Sequence, residues 1–249
     1  MYKSHIATFQ KLLHKNADPK VKEWWEGYVK QSAPFRGVKM PVIRSVLHQW
    51  HKEFVENNLT VERQMELALA LFYEKYTEDK LAGILFLQEI LLPAGAIRYE
   101  KDIDRFAALF IAGGIYDWNV CDWLCMKVLG PLIQKEGQQC AGRISKWRSA
   151  ENLWQARASL VAFVKVAEDR SYYPLVQRSC ETLIKREERF AKTAAGWILH
   201  DISKYDKSFV KKLIKKDIEK FSVESLRNAT KYFSMGEQKI YLQMLKDAS

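Results

Sequence analysis

Residues 116–130 read Tyr-Asp-Trp-Asn-Val-Cys-Asp-Trp-Leu-Cys-Met-Lys-Val-Leu-Gly. Asp117 is a typical helix N-cap residue and Gly130-Pro131 a typical helix end, so we predict one helix between them. Its apolar stripe consists of Val120, Cys121, Leu124, Cys125, Val128 and Leu132. Trp118 and Asp122 are four residues apart and lie at the edge of this stripe. A carboxylate and an aromatic ring at such an edge indicate a functional site.

The rest of the chain shows helical periodicity almost throughout, with no clear alternation typical of strands. The predicted helices cover 5–14, 19–29, 41–54, 60–74, 78–92, 100–112, 117–129, 138–148, 151–168, 172–185, 189–204, 206–220, 222–234 and 237–247. The connections between them are short, with the longest loop at 32–40. Short connections favour antiparallel helix pairs stacked side by side in an α-solenoid. We therefore predict an all-α fold in one domain, 1–249, with a compact helical bundle as the alternative.

Length and composition limit the class of protein. The chain has 249 residues and enough apolar residues to bury a substantial core. No stretch looks like a secretory signal, and no apolar run approaches the roughly 20 residues that span a bilayer. We expect a soluble cytoplasmic protein with no membrane partner.

The cysteines and histidines argue against several chemistries. Cys121 and Cys125 are one helical turn apart on the apolar stripe, and Cys140 and Cys180 form no CxxC pair. Buried free thiols are therefore expected in place of metal ligands or disulfides. The five histidines do not cluster either, which disfavours zinc sites and Ser-His or Cys-His catalysis. No metal and no cofactor is predicted.

The formal net charge of +10 points to a polyanionic partner. Residues 141–220 contain 18 Lys and Arg against 10 Asp and Glu, so most of the excess follows the opening stretch. A solvated lysine-rich surface is the alternative interpretation. Charge alone does not separate DNA, RNA and membrane partners.

Two later helices also carry unusual residues beside an apolar face. In the helix predicted over 151–168, Trp154, Arg157 and Lys165 follow one rim of the apolar stripe. In the helix predicted over 189–204, Trp197 lies about 100° from the centre of the apolar side, among polar residues. Packing against a neighbouring helix would explain any one such tryptophan. Three of them on separate helices favour a shared function.

These residues resemble the motifs of the bacterial AlkD-like DNA alkylation repair glycosylases, which are built of HEAT-like helical repeats. The likeness lies in Trp118-x-x-x-Asp122, in Trp154-x-x-Arg157 with Lys165, and in Ala195-Gly196-Trp197. It extends to Tyr28 and to the phenylalanine, glycine and proline of the segment 32–41. One departure is local: the family often has an aromatic residue before its first tryptophan and an acid after it, where this chain has Asp117 and Asn119.

The resemblance implies a curved superhelix of stacked helix pairs and a role for each residue. Trp118 and Trp197 correspond to the aromatic walls of the site, and Asp122 to the catalytic carboxylate. Arg157 corresponds to the residue that grips the DNA backbone. Tyr28, Trp154 and Lys165 correspond to supporting or DNA-contacting positions. The implied partner is double-stranded DNA containing alkylated purines, bound by a monomer in the bacterial cytoplasm at the nucleoid.

The implied chemistry is consistent with the residue types. A purine alkylated at N3 or N7 is already cationic, so the departing base needs no general acid. One carboxylate can stabilise the oxocarbenium-like sugar and position a water. Indole faces attract cations by roughly 0.5 to 2 kcal/mol. The resemblance further implies that the base is released without classical base flipping.

Two other functional classes remain open. A catalytically silent relative would bind damaged or branched DNA, although such a binder has no need for a carboxylate that repels phosphates. A HEAT-like scaffold for protein interactions would show no salt-sensitive affinity for DNA. The preferred lesion, N3-methyladenine or N7-methylguanine, does not follow from the residues.

Overall fold

The computed structural model describes residues 2–248, and within that range the chain forms helices and no β-strand. The predicted all-α fold is therefore confirmed. The chain divides into two compact units, Met1–Val128 and Leu129–Ser249. The prediction of one domain over 1–249 stays a prediction.

The first unit contains seven α-helices among the residues described. They are α1 (Lys3–His14), α2 (Pro19–Tyr28), α3 (Met40–Phe54), α4 (Val61–Ala70), α5 (Thr77–Phe86), α6 (Tyr99–Ile111) and α7 (Trp118–Leu124). A 3-10 turn, Leu71–Tyr73, follows α4, and π-helical turns, Leu87–Leu91 and Cys125–Leu129, follow α5 and α7. All ten residues of α5 are buried, and α5 packs on α3, α4 and α7. This helix is the centre of the first unit.

The second unit has the same construction. Its helices are α8 (Gly130–Ser145), α9 (Leu153–Val161), α10 (Tyr173–Leu183), α11 (Arg189–Ile202), α12 (Lys207–Lys216), α13 (Val223–Ala229) and α14 (Met235–Ala248). Short 3-10 segments cover Lys146–Ser149, Ala162–Val166, Arg170–Tyr172 and Ile218–Lys220. Helix α11 packs on α9, α10 and α13. Each helix thus stacks on its near neighbours in sequence, as a solenoid requires.

Side-chain caps fix where several helices begin. The Asp18 carboxylate accepts from the backbone N–H of Lys20, and Pro19 is the first residue of α2. The Asp117 carboxylate accepts from the N–H of Val120 at 3.0 Å and caps α7. Both caps confirm the predicted helix starts, because a short side-chain acceptor satisfies amide groups that have no intrahelical partner.

The predicted helix end at Gly130-Pro131 is wrong. The π-helical turn Cys125–Leu129 leads into α8, in which Pro131 is one of the first two residues. The chain stays helical through Pro131, and the π-helical turn directly before it is the local change in hydrogen bonding beside this proline. The interruption comes instead at Gly137, whose φ of 70° is outside the helical region.

All four cysteines are free and buried, as predicted. None of the helices within residues 2–248 combines the length and the apolar character needed to cross a bilayer.

Candidate functional site

Helix α7 presents the residues of the opening stretch as the periodicity predicts. Its apolar stripe residues are fully buried, among them Val120, Cys121 and Leu124. At the edge of the stripe, Trp118 is half-buried and Asp122 is 9% exposed. Asp122 is therefore a largely dehydrated carboxylate one helical turn from an accessible indole.

Helix α2 brings an aromatic cluster to Trp118. The Tyr28 ring meets the Trp118 ring edge-on, with centroids 5.6 Å apart. Trp25 meets Tyr28 edge-on at 5.7 Å and stacks on Phe35 at 5.6 Å. Tyr28 itself is 55% exposed. The structure thus places two predicted site residues, Tyr28 and Trp118, in direct contact.

A buried carboxylate holds the loop that supports this cluster. Glu78 on α5 accepts hydrogen bonds from the backbone N–H groups of Arg36, Gly37 and Val38, at 2.9, 2.8 and 3.1 Å. Gly37 is required because its φ is +95° and a Cβ there would lie 2.2 Å from the Asp18 carbonyl oxygen. These contacts fix the backbone that follows Phe35, and with it the ring on which Trp25 stacks.

A second buried charge on α5 fixes the approach to α7. The Lys80 ammonium donates to the carbonyl oxygens of Phe72 and, at 3.1 Å, of Gly114, and it lies 5.1 Å from the Tyr116 ring centroid. Burial lowers the pKa of Lys80, against the attraction of Asp117. Lys80 therefore ties the segment before α7 to the central helix of the first unit.

The same charges act on the helix cap. Burial raises the pKa of Asp117 and the nearby Asp122 raises it further, whereas the cap hydrogen bonds and Lys80 oppose the rise. Asp117 thus carries a charge that Asp122 disfavours and Lys80 favours. Without that cation, the mutual repulsion of the two carboxylates would favour protonation of one of them.

The second unit gathers three other predicted residues around a phenylalanine. Arg157 is 5% exposed, and its Nη1 donates to the Phe190 carbonyl oxygen at 2.8 Å and to Thr193 Oγ1 at 3.3 Å. Its guanidinium carbon lies 5.8 Å from the Phe190 ring centroid and 5.9 Å from that of Trp197. Trp154 packs on Phe190 at 5.1 Å. Trp154, Arg157 and Trp197 therefore form one cluster.

Arg157 and Lys165 do not share one environment, although they follow the same rim in the sequence. Lys165 is exposed and lies in the 3-10 segment Ala162–Val166, whereas Arg157 is buried within α9. The Lys165 stem passes so close to Gly130 that a Cβ there would lie 2.9 Å from its Cγ. The change from α-helical to 3-10 winding after Val161 alters the face on which the later residues lie.

Close helix packing fixes the position of Trp197. A Cβ at the preceding Gly196 would lie 2.6 Å from the Ser225 carbonyl oxygen and 2.9 Å from its Cα. Glycine at this position therefore lets α11 and α13 approach each other. Gly196 therefore allows the close packing, and the half-buried Trp197 indole is held at the next position of the same helix.

Several residues that shape the site were not predicted from the sequence. Glu78 and Lys80 belong to Thr-Glu-Asp-Lys, a typical first turn of a surface helix, and their partners are distant in sequence. Phe190 had a readable signal, because it is seven residues before Trp197 and therefore on the same face of α11. The adjacent Trp24 and Trp25, four and three residues before Tyr28, carried a similar signal.

Two of three comparisons with known proteins give a match. A family model described as DNA alkylation repair enzyme matches residues 9–233. A solved structure of a predicted DNA alkylation repair enzyme from Enterococcus faecalis has a TM-score of 0.75 at 19% identity, covering 88% of this chain and 98% of that chain. At this identity the likeness shows a common fold. A comparison with curated proteins gives no match.

Proposed function

Because its residues 9–233 match that family model, the chain belongs to the DNA alkylation repair enzyme family, and we propose that it is a DNA glycosylase. Its reaction is hydrolysis of the N-glycosidic bond of cationic N3- or N7-alkylated purines in double-stranded DNA, without classical base flipping. The observation that supports this proposal most strongly is Asp122, a buried carboxylate one turn from the accessible Trp118 ring.

Asp122 stabilises the positive charge that develops on the sugar as the base leaves. The glycosidic electron pair departs with the cationic purine, which becomes neutral, and a water oxygen bonds to the sugar C1′ and loses a proton to the solvent. A preorganised carboxylate in a partly dehydrated site acts most strongly on such a charge, because water screens it less. The enzyme thus needs one acid in its ionised form and no general acid.

The aromatic residues favour the cationic lesion over a neutral base. The face of an indole attracts a cation, and the gain grows when the site is dehydrated. Trp118 has this role beside Asp122, with Tyr28 as the ring that supports it. Trp197 has the corresponding role in the second unit, where the Arg157 guanidinium lies 5.9 Å from its ring centroid.

The second unit supplies affinity for the DNA backbone. Lys165 and Trp154 are the proposed contacts, with Lys165 as the exposed cation, whereas Arg157 is 5% exposed and acts through the Trp197 ring beside it. Contacts with phosphates release bound counterions, so affinity falls steeply as salt is raised. We propose that the protein acts as a monomer on chromosomal DNA in the bacterial cytoplasm and requires no cofactor.

Incubation with a duplex containing one N7-methylguanine, followed by alkaline cleavage at abasic sites, tests the proposal. We expect cleavage at the modified position and none in an identical duplex with unmodified guanine. Salt-sensitive binding without cleavage would instead identify a catalytically silent binder of damaged DNA. If the protein neither binds nor cleaves the duplex, the result would favour a scaffold for protein interactions.

A further inference from the structure

Helix α2 exposes far more aromatic surface than the proposed reaction uses. The structure records no buried residue on this helix. Trp24 is 59% exposed, and its ring stacks on that of Tyr28 with centroids 5.3 Å apart and planes 5° from parallel. Large exposed aromatic surfaces in soluble proteins usually mark a binding site.

The Trp24 ring is held in place before any ligand arrives. Tyr28 covers one side of it, and Trp25 meets it edge-on at 4.8 Å. Trp25 is in turn stacked on Phe35. A ring fixed in this way loses little conformational entropy when a flat ligand stacks on its open surface.

Two cations lie beside this ring. Lys20 and Lys39 are exposed and line, with Asp18, Val21, Trp24 and Trp25, an open recess of about 410 Å³. The Asp18 carboxylate in the recess accepts from the backbone N–H of Lys20. An aromatic platform flanked by lysines is the arrangement that binds single-stranded nucleic acid, since any base can stack and the cations contact phosphates.

We propose that Trp24, Lys20 and Lys39 form a second DNA site that binds one unpaired nucleotide, with the base stacked on Trp24 and its phosphate near the lysines. A paired base inside a duplex has neighbours on both faces, so only a base that has left the stack can use this platform. The inference takes from the proposed function only that the partner is DNA.

Equilibrium binding of undamaged duplexes tests the site without any base release. The probes are a duplex with one bulged thymidine and the fully paired duplex with the same flanks, compared by fluorescence anisotropy at one salt concentration. We expect the wild-type protein to bind the bulged duplex about 5-fold or more tightly, because stacking of one base on an aromatic ring supplies that much. Equal affinity for the two probes would overturn the proposal.

Variants locate the effect. Trp24→Ala should abolish the preference for the bulge and Trp24→Phe should keep most of it, whereas Phe54→Ala, which removes a ring that is 40% exposed on α3, should leave it unchanged. The Lys20→Ala, Lys39→Ala double variant should reduce the salt dependence on the bulged probe more than on the paired one. A Trp24→Ala protein that retains the preference would overturn the proposal. A second result would also overturn it: self-association of the protein that requires Trp24, together with DNA binding that does not. The ring would then belong to an interface between copies of the chain.

The experiments distinguish failure of the nucleotide site from failure of the proposed glycosylase function. Asp122→Asn should lose base release and keep the preference for the bulge. If the wild-type protein prefers the bulge but releases no base, the nucleotide site stands and the glycosylase proposal is wrong.

Discussion

The two units place their candidate residues by different means. In the first, Glu78 and Lys80 are buried charged groups of α5 that hold the loop before α3 and the segment before α7 through hydrogen bonds to backbone groups. In the second, Trp197 is positioned by the close approach of α11 and α13 at Gly196 and by the Arg157 guanidinium. A polar network and a packing contact therefore solve the same positioning problem.

Charge separates the units as well. Residues 1–128 contain 17 Lys and Arg against 16 Asp and Glu, a net charge of +1, whereas residues 129–249 contain 23 against 14, a net charge of +9. A unit that carries a catalytic carboxylate gains from near neutrality, since a strong positive field would weaken the action of that carboxylate on a developing cation. A unit that binds phosphates gains from positive charge. Under the proposed function, this difference in charge favours chemistry in the first unit and most of the DNA affinity in the second.

The largest effect on stability should come from breaking the polar network. Lys80→Met leaves the Phe72 and Gly114 carbonyl oxygens without their donor and Asp117 without its neighbouring cation, so the free energy of unfolding should fall by about 3 to 5 kcal/mol. Urea denaturation measures this free energy of unfolding. Lys75→Met, at an exposed lysine nearby in sequence, should change the value by less than about 0.5 kcal/mol. An equal effect of the two variants would show that the network contributes nothing.

The packing contact of the second unit should give the next largest effect. Gly196→Ala forces α11 and α13 apart, because the new methyl group would meet the Ser225 backbone, and should cost about 1 to 3 kcal/mol. Gly142 is the matched control, since a Cβ there meets nothing within 4 Å. Gly142→Ala should stabilise the protein by about 0.5 to 1 kcal/mol by the same denaturation measurement. A Gly196→Ala protein as stable as wild type would contradict the account of how Trp197 is held.

A smaller effect should appear in the salt dependence of DNA binding. If Lys165 contacts one phosphate, Lys165→Ala should reduce the slope of log affinity against log salt concentration by about 0.9. Lys52→Ala, at an exposed lysine of the first unit, should leave that slope unchanged. Titrations of duplex DNA from low to moderate salt supply the slopes. A change in both variants, or in Lys52→Ala alone, would break the assignment of affinity to the second unit.

The smallest effect should come from His200, three residues after Trp197 on α11. Burial lowers the pKa of His200 from the usual 6.5. Asp201 opposes this decrease, whereas Lys204 and Lys231 add to it. The His200 ring stacks on that of Tyr232, with centroids 4.7 Å apart. The unfolded chain therefore binds the proton more readily, so the contribution of His200 to stability is complete above about pH 6.5 and is lost as pH falls through the folded-state pKa.

His200→Asn should accordingly lose less stability than wild type between pH 7.5 and pH 5.5. His14→Asn, at an exposed histidine of α1, should follow wild type over the same range. Thermal denaturation at several pH values provides the comparison. Parallel curves for wild type and His200→Asn would show that this histidine is not linked to folding.

Much of the fold follows from local sequence patterns, because helix caps and apolar stripes act between residues close in the chain. Asp18, Asp117 and the stripe of α7 are examples. The predicted helix end at Gly130-Pro131 is wrong because a π-helical turn leads into Pro131 without a break, and only the backbone shows that Gly137 is the interruption. The site could be predicted only in part. Trp118 and Asp122 are recognisable from their positions at the edge of an apolar stripe. Glu78 and Lys80 act through contacts with residues more than 30 positions away, which local patterns do not show.

The most direct test of the central claim is the single-turnover rate of base release from an N7-methylguanine duplex, measured at saturating protein for wild type and for Asp122→Asn. Amide and carboxylate have the same shape, so binding should be equal or slightly stronger in the variant. The rate should fall about 100- to 1,000-fold, the usual cost of losing a preorganised electrostatic group. The wild-type rate should also decrease as pH is lowered, because the carboxylate acts in its ionised form. An Asp122→Asn protein that releases N7-methylguanine at the wild-type rate would contradict the assignment of the chemistry to the first unit.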